Sequence, residues 1–132
     1  HLSLRRQRQM CIRDRLLAAC NKKEEKKESL YPEVKKTQAQ LTLELGQEVF
    51  DGKGMCYSCH KPDQKVIGPS IAEIAKIYKE KGASIVDFLK EKGEPIVDPS
   101  QYSVMKTNFA ITKNLPEEEL VALEAYILSH AK

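Results

Sequence analysis

Apolar residues recur at helical spacing in four separate stretches of the chain after residue 40. In the first stretch Leu45, Val49 and Phe50 lie on one face, which is the pattern of a helix that packs on a core. No strand-rich pattern appears in the sequence. The pattern therefore predicts an all-α domain of four to five helices. The four clearest helices cover residues 41–51, 71–81, 84–92 and 116–130.

Turn and capping residues mark the ends of these predicted helices. Ser70 precedes the second helix as an N-cap, Glu73 occupies the capping-box position, and Gly82 ends the helix. Pro116 suits the first position of the last helix, where its missing N–H costs no hydrogen bond. Gly46 lies inside the first helix at a cost of about 1 kcal/mol relative to alanine. We therefore expect another helix to approach closely at Gly46.

The last predicted helix has one apolar stripe and one polar face. Glu124 lies outside the stripe, and we expect its side chain to face water. Core packing is the preferred interpretation for Tyr126 and also for Tyr78 and Phe88. The stripe consists of Leu120, Leu123, Tyr126 and Ile127.

Residues 94–105 lack a helical period. Pro95 and Pro99 fix two backbone φ angles in this segment and remove two N–H donors. The segment is therefore predicted to be a loop, with Met105 at its end.

Charge divides the chain of 132 residues into two unequal parts. Residues 1–39 contain eleven Lys plus Arg against five Asp plus Glu, a formal charge of +6. Residues 40–132 contain eleven Lys against fourteen acids, a formal charge of −3. The basic residues thus lie outside the predicted domain and have almost no aromatic residues among them, which argues against nucleic-acid binding.

The sequence Cys56-Tyr57-Ser58-Cys59-His60 is the strongest chemical signal in the chain. The spacing Cys-x-x-Cys-His is that of a c-type haem attachment site. Each thiol adds to a vinyl group of the porphyrin, so both cysteines must lie on one side of a tight helical turn. His60 is then placed to supply the proximal nitrogen to the haem iron.

A zinc half-site and a dithiol redox pair share the Cys-x-x-Cys spacing. A tetrahedral zinc site needs a second pair of ligands, and the remaining candidates are His1, His130, Cys11 and Cys20. A thioredoxin-like dithiol needs alternating strands and helices around it. The haem interpretation is therefore favoured over both alternatives.

The order of motifs after residue 40 resembles that of small bacterial monohaem class I cytochromes c. The resemblance covers residues 41–132 and implies an all-α cytochrome c fold, wrapped around one covalently bound haem c. The residues that carry the resemblance are Gly46, Phe50, Cys56, Cys59, His60, Ile67, Gly68, Pro69, Ser70, Met105, Leu120, Tyr126 and Ile127.

The resemblance also implies a set of site residues. The haem iron would be bound by His60 and Met105, and the second ring nitrogen of His60 would donate a hydrogen bond to the carbonyl of Pro69. Asn108 stands where similar cytochromes place an asparagine that bonds the methionine sulfur. Residues 106–107 are Lys and Thr, where many relatives have prolines. The rigidity expected of the methionine loop is therefore reduced in this chain.

The position of the methionines bears on the sixth iron ligand. Met55 adjoins Cys56, and Met10 lies near the start of the chain. If a thioether sulfur binds the iron, Met105 must therefore supply it. His130 is the competing sixth ligand.

The function implied by the resemblance is one-electron transfer in a respiratory chain outside the cytoplasm, without enzymatic activity. Two axial ligands leave no open position on the iron. We expect transient docking of redox partner proteins, steered by surface charge, and the acidic domain favours a partner with a basic patch. A haem-based gas or redox sensor, and an electron-entry domain of a larger redox enzyme, remain open as alternatives.

The segment before the domain carries its own expectations. Residues 1–15 lack periodicity and resemble translated adapter sequence, so we interpret them as a leader foreign to the native gene. Leu-Ala-Ala-Cys, ending at Cys20, resembles a bacterial lipobox and predicts a lipid anchor, although no apolar run precedes it. The alternatives are a chance cysteine and a plain solvated linker. The predicted divisions are the leader (1–15), a lipobox remnant with a flexible charged tether (16–40) and a cytochrome c domain (41–132).

Overall fold

The computed structural model describes residues 36–132, and the regular secondary structure of these residues is helical. Within this range there is no β-strand, and one isolated bridge joins His60 and Lys65. The predicted all-α class is therefore confirmed. The α-helices are α1 (Gln38–Asp51), α2 (Ile71–Lys81), α3 (Ile85–Leu89), α4 (Tyr102–Met105), α5 (Phe109–Thr112) and α6 (Glu117–Leu128). Single 3-10 turns cover Cys56–Ser58, Pro99–Gln101 and Lys106–Asn108.

Helix α1 begins three residues earlier than the apolar pattern predicted. Thr37 is its N-cap, and the Thr37 hydroxyl accepts a hydrogen bond from the N–H of Gln40. The Gln40 side chain accepts in return from the N–H of Thr37 at 2.8 Å. This capping box satisfies two N–H groups that would otherwise lack partners, so the helix extends into exposed polar residues.

Helices α1 and α6 pack against each other at Gly46. A Cβ atom built on Gly46 would lie 2.1 Å from the carbonyl oxygen of Ala122 and 2.6 Å from Cβ of Tyr126. The rings of Phe50 and Tyr126 lie beside this contact, with centroids 5.6 Å apart. The close approach predicted from the helical glycine is therefore confirmed.

Helix α2 has the predicted bounds. The hydroxyl of Ser70 accepts a hydrogen bond from the N–H of Glu73 at 3.2 Å, which confirms the predicted N-cap. Gly82 ends the helix with a left-handed backbone (φ 59°), a conformation that glycine adopts without a Cβ penalty.

The loop predicted for residues 94–105 is confirmed only in its first part, since residues 94–98 are not helical whereas residues 99–105 are. Backbone from Pro99 to Thr112 is helical throughout, in alternating 3-10 and α turns. Lys106 keeps a backbone N–H, which donates to the carbonyl of Tyr102. A proline at position 106 would have removed that donor. The weak periodicity arises because this helical run is irregular, so its apolar positions do not repeat at one fixed spacing.

Glu124 was predicted to face water, but its side chain instead contacts the start of α3. Its Oε1 atom accepts hydrogen bonds from the hydroxyl of Ser84 and from the N–H groups of Ile85 and Val86, at 3.1, 2.6 and 3.3 Å. These donors form the N-terminus of α3, where the helix dipole favours a negative charge. Glu124 of α6 therefore caps a helix that lies 38 to 40 residues earlier in the chain.

The remaining helix bounds differ from prediction by a few residues. Helix α3 ends at Leu89, and a turn follows in which the N–H groups of Lys92 and Gly93 both donate to the carbonyl of Asp87. Helix α6 begins after Pro116, whose ψ of 149° is not helical. Within residues 36–132, no helix combines the length and apolar character that a membrane span requires.

Gly46 gives a direct test of the α1–α6 contact. Gly46→Ala should lower the free energy of unfolding by about 3 kcal/mol, because the new methyl group meets backbone that cannot move aside. Gly82→Ala is the matched control, since no atom lies within 4 Å of its Cβ position and the cost is left-handed strain of about 1 kcal/mol. Guanidinium chloride unfolding of the holoprotein measures both. Equal losses in the two variants would contradict the close contact.

Glu124 gives a second test. Glu124→Ala should lower the free energy of unfolding by about 2 kcal/mol, because the N–H groups at the start of α3 lose their acceptor. Glu118→Ala, at an exposed position on α6, should change it by about 0.5 kcal/mol or less. Thermal unfolding followed by circular dichroism compares them. A loss no larger at Glu124 than at Glu118 would show that the cap has no energetic role.

Candidate functional site

A cleft with a volume of about 280 Å³ lies in the interior of the described domain. Cys56, Cys59, His60 and Met105 all line it, although they come from opposite ends of the domain sequence. The remaining lining is largely apolar. It includes Phe50, Ile71, Ile74, Ile85, Phe88 and Leu89. The cleft therefore brings together the predicted haem attachment motif and Met105, the residue predicted to be the second iron ligand.

The cysteine motif forms a single tight turn. A 3-10 turn covers Cys56–Ser58, and the N–H groups of Cys59 and His60 both donate to the carbonyl of Cys56, at 3.1 and 3.0 Å. Met55 precedes the turn with a left-handed backbone (φ 51°), an uncommon conformation for a residue that has a Cβ atom. The turn thus places both sulfurs and the imidazole at one wall of the cleft.

The imidazole of His60 is held in one orientation. Its Nδ1 atom lies 2.8 Å from the carbonyl oxygen of Pro69, the contact that the resemblance implied. Because a carbonyl only accepts, Nδ1 carries the proton and the Nε2 lone pair stays free for a metal. Gly68 lies against the ring, and a Cβ atom there would be 2.4 Å from its Cε1 atom. Glycine at position 68 is therefore required for this ring position.

The two cysteines are free thiols in different environments. Cys56 is buried and Cys59 is half-buried. Burial, together with the nearby carboxylate of Asp51, raises the pKa of the Cys56 thiol to about 11. Dithiol redox sites instead have a cysteine with a lowered pKa. The environment of Cys56 thus disfavours the dithiol alternative.

Met105 lies at the end of α4, half-buried and packed against the core. The ring of Tyr102 in the same helix lies 6.1 Å from that of Phe109, and Phe109 lies 5.3 Å from Phe88. This aromatic cluster supports the wall of the cleft from which Met105 projects. His130, the competing ligand, is not among the cleft residues, and its Nδ1 donates to the carbonyl of Tyr126 at 3.0 Å.

Asn108 also lines the cleft, but its contact differs from the one implied by the resemblance. Its Nδ2 atom donates to the carbonyl of Gly54 at 3.0 Å. The acceptor is therefore the backbone just before Cys56, whereas the resemblance implied the sulfur of Met105.

An ion pair that the sequence did not reveal lies at the edge of the cleft. Lys65, in the loop after His60, contacts Asp98, a cleft residue, with Nζ and Oδ2 2.8 Å apart. The hydroxyl of Ser100 donates to the other carboxylate oxygen at 2.5 Å. The hydrogen bonds from Lys65 and Ser100 lower the pKa of Asp98, and the bond to Asp98 raises the pKa of Lys65. Two loops far apart in sequence are thereby joined.

The cleft fits haem c. Three large apolar side chains that line it are also about half exposed, namely Met55 (52%), Ile67 (51%) and Val104 (47%). Such apolar surface is covered when a flat apolar group fills the cleft. The donor set of two thiols, a fixed imidazole and a thioether suits the two attachment bonds and two axial bonds of haem c.

Fold and site together define a class I cytochrome c. The sequence matches the family model Cytochrome c over residues 43–131, which is two-thirds of the chain, so the protein belongs to this family. It therefore carries covalently bound haem c with iron. Members of the family are generally electron-transfer proteins, and cytochrome c domains are typically extracytoplasmic. No significant match to a curated protein was found.

The Lys65–Asp98 pair predicts a pH-dependent stability. Because the pKa of Asp98 is lower in the folded than in the unfolded state, the charged pair stabilises the folded state at pH values above the unfolded pKa of about 3.9. This stabilisation is lost as the pH falls through the lower pKa of the folded state. Asp98→Asn should therefore lower the urea midpoint at pH 7 and have progressively less effect below about pH 4. Asp63→Asn, in the exposed pair with Lys132, is the control. A deficit at Asp98 that is independent of pH would contradict an ionic origin.

Proposed function

We propose that this protein is a bacterial one-electron carrier whose haem iron is bound by His60 and Met105. The observation that carries the proposal is that one cleft brings together Cys56, Cys59, His60 and Met105. Cys56 and Cys59 are the proposed thioether residues. His60 is the proposed proximal ligand through Nε2, since Nδ1 is engaged by the carbonyl of Pro69.

The chain's own residues set the conditions for electron transfer. Haem c supplies a reversible Fe(II)/Fe(III) couple when bound. The Pro69 carbonyl fixes the His60 ring and increases the basicity of its free nitrogen. The thioether of Met105, a soft neutral ligand, favours Fe(II) and raises the reduction potential. The apolar lining excludes water, which disfavours the additional positive charge of Fe(III).

The exposed rim beside the attachment turn is the proposed route for electrons. Tyr57 is 44% exposed there, and Lys61 Nζ lies 5.5 Å from the centre of its ring. Encounters with redox partners at this rim are expected to be brief, as is common for electron-transfer complexes. The net charge of −3 over residues 40–132 favours partners that present basic surface.

The proposed setting is a respiratory chain outside the cytoplasm, with the domain anchored by lipid at Cys20. Cys20, the predicted leader and the predicted tether as far as residue 35 lie outside the described residues, so this part of the proposal depends on the lipobox-like sequence alone. The last residues of the predicted tether are not a flexible linker, because Thr37 caps α1 and residues 38–40 form its first turn. A charged tether of this composition would let the domain reach partners along the membrane surface.

Replacing Met105 tests the proposed ligation. Met105→Ala should convert the low-spin haem to a high-spin or water-ligated one and lower its reduction potential, because the soft sulfur ligand is lost. Optical spectra and a redox titration of the purified holoprotein measure both changes.

His130→Ala is the matched control, because His130 is the competing ligand and lies outside the cleft lining. It should leave the spectrum and the potential unchanged. A low-spin spectrum that persists in Met105→Ala but is lost in His130→Ala would overturn the proposed ligand pair.

Lipid attachment is tested on native protein extracted from membranes. Mass spectrometry should find residue 20 as the first residue of the mature chain, with lipid attached at Cys20. Cys20→Ser should release the protein into the soluble fraction with an unchanged haem spectrum. An unmodified Cys20 in the membrane-extracted protein would rule the anchor out.

A further inference from the structure

One side-chain hydrogen bond connects the methionine segment directly to the attachment turn. Asn108 Nδ2 donates to the carbonyl oxygen of Gly54 at 3.0 Å, across 54 residues of sequence. Gly54 precedes Cys56 by two residues, and Asn108 follows Met105 by three. The bond thus links the two parts of the chain that supply the cysteines and the thioether.

Asn108 and Met105 share one face of a helical segment. The backbone of Met105 (φ −59°, ψ −35°) and that of Asn108 (φ −79°, ψ −16°) are both helical, as is the backbone between them. Residues three apart on such a backbone project to the same side. Both side chains line the cleft. Fixing the rotation of the segment at Asn108 therefore also fixes the direction in which Met105 points.

The acceptor is itself held in place. The N–H of Gly54 donates to the carbonyl of Val49 at 2.8 Å, and a Cβ atom on Gly54 would lie 2.9 Å from that same oxygen. Gly54 therefore stays close to the end of α1. Its carbonyl is a fixed point on the attachment-turn side of the cleft.

Haem attachment leaves Asn108 with a larger role at this carbonyl. In the free thiol form, Cys56 Sγ lies 3.5 Å from the Gly54 oxygen and can donate weakly to it. When the thiol adds across a vinyl group, sulfur bonds one vinyl carbon and the thiol hydrogen goes to the other, with no oxidant or reductant required. The sulfur then has no hydrogen to donate. The Asn108 amide remains a donor to Gly54.

The other side of the methionine segment is anchored independently. Phe109 is buried (1% exposed), with its ring 5.3 Å from that of Phe88, and the Thr112 hydroxyl donates to the carbonyl of Leu89 at 3.0 Å. These contacts hold the segment to α3. Among the described hydrogen bonds, the one from Asn108 joins the segment to the attachment turn.

We propose that Asn108 is a positioning residue that holds Met105 in the cleft by binding the Gly54 carbonyl and not the methionine sulfur. The proposal rests on the proposed ligation of the iron by Met105. In this proposal the Asn108 amide fixes the backbone of the segment, and the backbone in turn fixes the position of the Met105 thioether in the cleft.

The hydrogen bond can be observed directly in the unaltered holoprotein. Reduced low-spin haem is diamagnetic, so side-chain amide signals near it can be resolved by nuclear magnetic resonance. A scalar coupling across the hydrogen bond, between Asn108 Nδ2 and the carbonyl carbon of Gly54, is the expected result. Its absence, with amide contacts to the Met105 methyl group alone, would overturn the proposal.

A pair of variants measures the consequence for Met105. Asn108→Leu keeps the branching of the side chain at Cγ and removes the amide donor. Asn114→Leu is the matched control, because Asn114 also donates to a backbone carbonyl, that of Ala110 at 2.7 Å, but outside the cleft. Added imidazole binds the oxidised iron only when Met105 has dissociated, so its apparent affinity reports that population.

Asn108→Leu should increase the apparent imidazole affinity about fivefold, the change expected for one lost hydrogen bond, and weaken the sulfur-to-iron charge-transfer band. Asn114→Leu should change neither. Equal affinities in the two variants would overturn the proposal. If Met105 is not an iron ligand at all, a different result is expected, and the two failures can be told apart. Met105→Ala would then bind imidazole with the same affinity as the unaltered protein.

Discussion

The hydrogen bond between His60 Nδ1 and the Pro69 carbonyl is the constraint around which the site is built. It requires that the chain return to the imidazole nine residues after leaving it, and Gly68 allows this because any side chain there would enter the ring. The same turn delivers Ser70 to the start of α2, whose residues Ile71 and Ile74 line the cleft. One short loop thus orients the proximal nitrogen and begins an apolar wall.

The opposite wall is built by different means. Met105 comes from an irregular helix, and its support is the aromatic cluster around Phe109 together with hydrogen bonds from side chains such as Asn108. The ion pair of Lys65 and Asp98 then joins the two walls at the cleft edge. The proximal side depends on the backbone turn, whereas the distal side depends on side chains whose partners lie far away in sequence.

This difference explains which features were predictable from the sequence. Local signals sufficed for α2, where Ser70 and Gly82 mark both ends, and for the tight turn around Cys56. The cap that Glu124 provides to α3 and the bond from Asn108 to Gly54 each join residues about 40 or more apart. No local pattern encodes such partners, because they depend on how complete helices are arranged. The loop prediction was wrong at residues 99–105 for a related reason. Tertiary contacts of the buried Phe109 stabilise a helical run whose apolar residues show little periodicity.

The burial of Cys56 has a consequence for the chain before its cofactor arrives. With its pKa raised to about 11, the Cys56 thiol is almost wholly protonated near neutral pH. Disulfide exchange requires the thiolate as the attacking group. The folded apoprotein is therefore slow to close the Cys56–Cys59 disulfide through Cys56, even in an oxidising compartment. The packing that later encloses the porphyrin thus disfavours one of the two routes, attack by Cys56, to a disulfide that would compete with haem attachment.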